Sequence, residues 1–182
     1  YSYTKRFTAW SHHVLGLALG IAPVGAYLAI AGEWPQPWYA PVVLAAGVMF
    51  WVAGFDVIYA LQDIEFDRRE RLHSIAAKHG ARSAMWFARS FHFTAVLAFL
   101  AVGALRMFPV GSAYLGGVAV MAMLLTYEHW VVRGDAEGTL DLKRIDRAFF
   151  RANVAISTSF LFFTLLDRLL AIDFTFATGS GP

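Results

Sequence analysis

The sequence contains no cysteine, so this chain forms no disulfide bond and has neither a thiol nucleophile nor a thiolate metal site. Charged side chains are scarce as well: they make up 15% of the 182 residues, against roughly 25% in an ordinary soluble domain. The formal net charge of +2 is too small to indicate nucleic-acid binding. Hydrophobic residues instead reach 58%, and this excess indicates a protein of the lipid bilayer.

Long apolar runs are the main structural signal. A membrane-spanning helix needs about 20 mostly apolar residues, and five stretches reach that length: 10–31, 38–60, 84–105, 110–132 and 149–171. We therefore predict an all-α protein, a polytopic bundle of five transmembrane helices within a domain covering residues 1–172. Residues 173–182 contain turn formers without a core pattern, and they are predicted to form a flexible tail.

The placement of lysine and arginine predicts the orientation of the bundle. Most of these residues lie near the N-terminus and in the two long connections, at residues 61–83 and 133–148. On the opposite side of the predicted helices lie only Arg106 and Arg168. By the positive-inside rule, the N-terminus and both long connections should face the cytoplasm, most simply across a bacterial inner membrane.

One predicted cytoplasmic helix end carries a row of acidic side chains. Residues 55–71 contain neither glycine nor proline, so we expect the second span to continue as a helix beyond the membrane surface. On such a helix four side chains fall within an arc of roughly 80°; they are Asp56, Tyr59, Asp63 and Asp67. The three carboxylates among them extend over about 16 Å along the helix. We call the three aspartates of this set the acidic row.

The acidic row is suited to a metal ion. Asp63 and Asp67 are one turn apart and could share Mg²⁺, which proteins commonly hold with one or two carboxylates plus substrate phosphates. The alternative is a solvated helix end whose carboxylates pair with the arginines that follow them. Asp56 argues against this alternative, because it follows an apolar run and an ionisable group at membrane depth is a candidate for function. The row therefore predicts a site for a Mg²⁺-bound diphosphate.

The spacing of the row carries a resemblance to a known family. The pattern Asp-x-x-Tyr-x-x-x-Asp-x-x-x-Asp, which begins at Asp56, resembles the second aspartate motif of the UbiA superfamily of intramembrane prenyltransferases. The opening Tyr1-x-x-x-Lys5-Arg6 resembles another motif of the family, and residues 148–153 are similar to its quinone-pathway branch. The family has nine spans and two aspartate motifs. The resemblance thus implies the C-terminal part of a nine-span fold, as a fragment or a degenerate relative.

The resemblance also implies a reaction. In this family a polyprenyl group moves from an isoprenyl diphosphate to an aromatic ring, here 4-hydroxybenzoate or a related acceptor of ubiquinone or menaquinone synthesis, with Mg²⁺ as cofactor. The implied roles are metal binding by Asp63 and Asp67, catalysis by Asp56, Tyr59 and Lys5, and substrate binding by Tyr1, Lys5 and Arg69. Lys5 and Arg69 have a simpler alternative role as anchors at the membrane border.

Two further interpretations of the chain stay open. One is a non-catalytic membrane subunit that retains the fold, and the other is a transporter that uses Asp56 as its intramembrane charge. Six histidines show neither metal-ligand spacing nor a carboxylate partner evident in the sequence, so we interpret them as interface or packing residues; they are His12, His13, His73, His79, His92 and His129. The pair Gly16-x-x-x-Gly20 predicts close helix packing.

Overall fold

The computed structural model describes the backbone of residues 3–132 and 142–178, and the side chains of residues 3–132 and 150–171. These ranges are helical without strands. The α-helices are α1 (Ser11–Ala31), α2 (Ala40–Tyr59), α3 (Ile64–Arg69), α4 (Ile75–Ala104), α5 (Ser112–Val132) and α6 (Leu142–Thr178), with 3₁₀ turns at Thr4–Arg6 and Ala60–Asp63. The predicted all-α class is confirmed.

Five helical segments of the described chain are long and apolar enough to cross a membrane, which confirms the predicted number. They are Ser11–Ala31, Ala40–Arg69, Ile75–Ala104, Ser112–Val132 and Phe150–Ala171. The third begins nearer the N-terminus than predicted, because the Ser74 side chain caps it by accepting a hydrogen bond from the Ala77 backbone N–H at 3.0 Å. Gly80 then joins two helical stretches across a kink, with a φ of 80° that favours glycine.

The last helix is longer than predicted at both ends. It begins at Leu142, within the stretch expected to be a connection, and continues past the predicted tail boundary at residue 173 to Thr178. Residues 172–178 contain neither glycine nor proline, so the first helix breaker is Gly179. Residues 179–182 of the predicted tail and 133–141 of the predicted connection lie outside the described residues.

The second span continues as a helix to Arg69, as predicted, but it is not one uninterrupted α-helix. α2 ends at Tyr59, the 3₁₀ turn Ala60–Asp63 follows, and only then does α3 begin. A 3₁₀ turn has about 3.0 residues per turn instead of 3.6, so it rotates the later side chains relative to the earlier ones. The turn is held because Ala60 and Leu61 are buried against α4, a tertiary contact that local propensity does not report.

α2 is the central helix of this part of the molecule. It packs against α1 on one side and α4 on another, whereas α5 packs mainly against α6. The contact with α1 is close at the two glycines singled out in the sequence. A Cβ at Gly16 would collide with the carbonyl oxygen of Met49, and one at Gly20 would lie 2.6 Å from the carbonyl oxygen of Ala45. The predicted close packing is confirmed.

We expect Gly16→Val to weaken the packing of α1 on α2, because the atom it would meet is backbone and can yield only if a helix shifts. Overpacking of this kind typically costs about 1–3 kcal/mol. Thermal unfolding in detergent measures the loss. The matched control is Gly25→Val on the same helix, where an added Cβ meets no atom within 4 Å. Equal unfolding temperatures for the two variants would show that the close approach contributes no stability.

Candidate functional site

The N-terminal segment is tied directly to α3. The Lys5 Nζ lies 3.4 Å from the Asp67 Oδ2, and the Asp67 residue is 1% exposed. The backbone adds a second link, since the His73 N–H donates to the Lys5 carbonyl oxygen at 2.6 Å. An ammonium group and a buried carboxylate are therefore held together at this end of the bundle.

A second contact ties α1 to the other end of the acidic row. The His12 Nδ1 lies 2.6 Å from the Asp56 Oδ2, a hydrogen bond between two buried side chains. The interpretation of His12 as a histidine without a carboxylate partner was therefore wrong. Its partner is 44 residues away in sequence, on the neighbouring helix, where a search for local ligand spacing does not find it.

The remaining residues predicted for the site lie outside the Lys5–Asp67 and His12–Asp56 contacts. Asp63 ends the 3₁₀ turn and is partly exposed, whereas Tyr59 is 41% exposed and does not share the burial of Asp56. Residues expected on one arc of the helix therefore differ in burial. Arg69 lies exposed near the end of α3. Tyr1 lies outside the described residues.

The arginines that follow the acidic row do not neutralise it. The Arg68 Nε donates to the Ala77 carbonyl oxygen at 3.0 Å, away from the carboxylates. Within the described part of the chain, Asp67 forms its ion pair with Lys5, and no arginine pairs with Asp63. Asp67 thus differs from the alternative considered from the sequence, because it is buried and pairs with Lys5 instead of a following arginine.

The donor set at this end of the bundle suits a hard cation that shares its ligands with a phosphate. Among the described side chains, no group of three or more His, Asp or Glu could hold a metal alone. Asp63 and Asp67 supply two carboxylates, which is the number Mg²⁺ commonly takes when phosphate oxygens complete its coordination. Lys5 adds a donor for a charge-assisted hydrogen bond to phosphate. Asp63 and Asp67 are thus the residues that would hold Mg²⁺ here, with phosphate oxygens completing its coordination.

The sequence model of the UbiA prenyltransferase family matches residues 1–154, which is most of the chain. This chain belongs to the UbiA prenyltransferase family. It is similar to proteins named 4-hydroxybenzoate octaprenyltransferase. The one from Thiobacillus denitrificans is 35% identical over 135 residues, covering 73% of this chain and 43% of the relative. The one from Aromatoleum aromaticum is 31% identical over 159 residues, covering 84% and 48%.

A solved structure supports the same assignment. The apo structure of a UbiA homolog from Aeropyrum pernix K1 matches with a TM-score of 0.76 at 26% identity, covering 91% of this chain and 58% of that one. The resemblance found in the sequence is confirmed, and the apolar helices together with these bacterial relatives indicate an integral membrane protein. This UbiA chain spans about half the length of the curated relatives it matches.

A buried polar cluster behind α2 was missed in the sequence of this UbiA chain. The His92 Nδ1 lies 3.0 Å from the His129 Nε2 and 4.0 Å from the Oε2 of the fully buried Glu128. The His92 ring also sits against Gly54, where any Cβ would collide with it. Gly54 and Asp56 are two residues apart and so point to nearly opposite sides of α2. The cluster thus joins α4 and α5 to the helix that carries Asp56.

Proposed function

We propose that this UbiA-family chain provides the diphosphate site of a membrane prenyltransferase. The enzyme would transfer a polyprenyl group from an isoprenyl diphosphate to an aromatic acceptor such as 4-hydroxybenzoate, in ubiquinone or menaquinone synthesis. The observation that carries the proposal is the pairing of Lys5 with the buried Asp67, close in sequence to Asp63. The relatives named 4-hydroxybenzoate octaprenyltransferase support the choice of acceptor.

The reaction needs charge stabilisation at both ends of the breaking bond. The bond between the allylic carbon and the bridging oxygen breaks, and its electron pair leaves with the diphosphate. A ring carbon of the acceptor supplies the electrons of the new carbon–carbon bond, and the ring then loses a proton. The protein must therefore stabilise an anion at the diphosphate and a cation at the prenyl group, and must accept the proton.

Each residue of the site has a role in this chemistry. Asp63 and Asp67 would hold Mg²⁺, which when bound neutralises charge on the departing diphosphate. Lys5 would donate a charge-assisted hydrogen bond to the same diphosphate. Asp56 lies on the membrane side of these two carboxylates, where its own carboxylate stabilises positive charge on the prenyl group and ring and can accept the ring proton. Further residues of the enzyme and the diphosphate would complete the metal coordination.

Three other features belong to the proposal. Tyr59 is exposed beside the site and would present its ring or hydroxyl to the prenyl diphosphate, as a cation–π or hydrogen-bonding partner. Arg69 and Tyr1 would also bind the diphosphate. The Lys5–Asp67 end of the bundle would face the cytoplasmic side of a bacterial inner membrane, with residues 1–172 as part of one prenyltransferase domain; the distribution of lysine and arginine supports this orientation.

The test is an assay of membranes that contain the protein at its natural length. We expect a prenylated product from an allylic polyprenyl diphosphate and 4-hydroxybenzoate, separated by chromatography, only when Mg²⁺ is present. EDTA should remove product formation, and excess Mg²⁺ should restore it, because both carboxylates need the metal to bind the diphosphate. The proposal fails if no aromatic acceptor is prenylated. Solute flux into liposomes without any diphosphate would favour the transporter instead.

A further inference from the structure

We infer that His12 is a positioning residue for Asp56: it fixes the carboxylate that faces the reacting prenyl group, without touching the substrate itself. This inference rests on the proposed function. Its basis is the contact of 2.6 Å between the His12 Nδ1 and the Asp56 Oδ2. The two residues lie on different helices, α1 and α2, so the contact exists only because the bundle brings those helices together.

The two side chains differ in exposure. The His12 side chain is 0% exposed, whereas the side chain of Asp56 is 12% exposed. The His12 imidazole is enclosed and its Nδ1 is engaged with the Asp56 Oδ2, so His12 acts through its neighbour. A carboxylate carries two oxygens on a torsion with a broad, roughly two-fold preference, and one short hydrogen bond is enough to select its orientation.

The packing of α1 on α2 sets the position of His12. Gly16 and Gly20 follow His12 at successive turns on the same face of α1, and they meet Met49 and Ala45 on α2. Toward the N-terminal end of α1 and the C-terminal end of α2, the next pair in this antiparallel contact is His12 with Asp56. The close approach of the two backbones at the glycines brings α1 near α2 along this face. The same interface holds the His12 imidazole against Asp56.

Together with Lys5, His12 gives the N-terminal segment two contacts with the acidic row. Lys5 pairs with Asp67 at the outer end, and His12 bonds Asp56 at the inner end. The two contacts should affect different parts of the reaction. The outer contact would affect binding of the diphosphate, and the inner contact would affect the charge on the prenyl carbon. Loss of His12 should therefore lower turnover while leaving diphosphate binding nearly intact.

The experiment compares four variants in membranes with the protein at its natural length: His12→Leu, His12→Asn, Asp56→Asn and the double variant His12→Leu/Asp56→Asn. We expect His12→Leu to lower kcat about 10–100-fold, which is the range found when a partner that orients a metal-binding side chain is removed. The KM for the diphosphate should stay within about threefold of the parent. His12→Asn places an amide N–H near the position of Nδ1 and should recover most of the rate. Adding His12→Leu to Asp56→Asn should cost nothing further.

His13→Leu is the matched control. His13 is the adjacent histidine on α1, and its ring packs edge-on against Phe91 at 4.6 Å between centroids rather than against a carboxylate. We expect this variant to keep the parent kcat. A His12→Asn variant no better than His12→Leu would overturn the inference, as would a full additional loss from His12→Leu in the Asp56→Asn background.

A measurement without turnover keeps the two proposals distinguishable. In detergent, His12→Leu and Asp56→Asn should each lower the unfolding temperature by at least about 5 °C, because each removes or weakens the 2.6 Å hydrogen bond between two buried side chains. The double variant should lose much less than the sum. Additive shifts would overturn the role of His12 even if prenyl transfer is observed. If prenyl transfer is absent but the shifts in unfolding temperature are non-additive, the proposed function is rejected, whereas the contact between His12 and Asp56 is supported.

Discussion

Asp67→Asn should lower the rate of prenyl transfer about 10³-fold. Asparagine has nearly the same shape as aspartate, so the buried site stays filled, but one ligand charge for Mg²⁺ and the ionic partner of Lys5 are both lost. Removing a single electrostatic group that acts in the transition state commonly costs about 10²–10³-fold, and the lost metal contact adds to that. Initial rates at saturating diphosphate, measured over a range of Mg²⁺ concentrations, test the expectation.

The control for this variant is Glu65→Gln. Glu65 lies two residues before Asp67 on α3, it is exposed, and its replacement removes the same formal charge. It should retain the parent rate, since it is exposed and lies outside the acidic row. Asp63→Asn should behave like Asp67→Asn and should require more Mg²⁺ for half-maximal activity. A parent-like rate for Asp67→Asn would exclude this carboxylate from the metal site.

The number of spans followed from the sequence because it depends on one property, the length of each apolar run. The exact path of the second span did not. The absence of glycine and proline from residues 55–71 permits an α-helix, yet it does not forbid the tighter turn at Ala60–Asp63. That turn is selected by the burial of Leu61 against α4, and local patterns carry no information about which helix lies opposite.

The same limit explains the histidines. His12 and Asp56 are 44 residues apart, and helical periodicity cannot say that α1 and α2 meet at those positions. One signal was available: Gly16, one turn beyond His12 on the same face, marks that face as the side that packs closely. For His92 and Glu128 the signal was the presence of polar side chains inside apolar runs, which by itself marks a functional or buried pair.

Lys5→Met should lower prenyl transfer about 10²-fold and raise the KM for the isoprenyl diphosphate. Methionine keeps much of the length of the side chain but removes the ammonium that would bind the diphosphate, 3.4 Å from Asp67. The same change leaves a buried carboxylate without its cation, so the unfolding temperature should fall as well. Steady-state kinetics and thermal unfolding measure the two effects on the same preparations.

Two comparisons separate the binding role of Lys5 from its structural one. Arg6→Met removes the neighbouring cation, which is exposed and sits 5.3 Å from the ring centroid of Tyr3, and should change neither KM nor stability much. The double variant Lys5→Met/Asp67→Asn should regain stability relative to Lys5→Met, because no unpaired charge remains buried. It should stay inactive, since the diphosphate has lost both partners. Recovery of activity together with stability would show that Lys5 only neutralises Asp67 and does not bind the diphosphate.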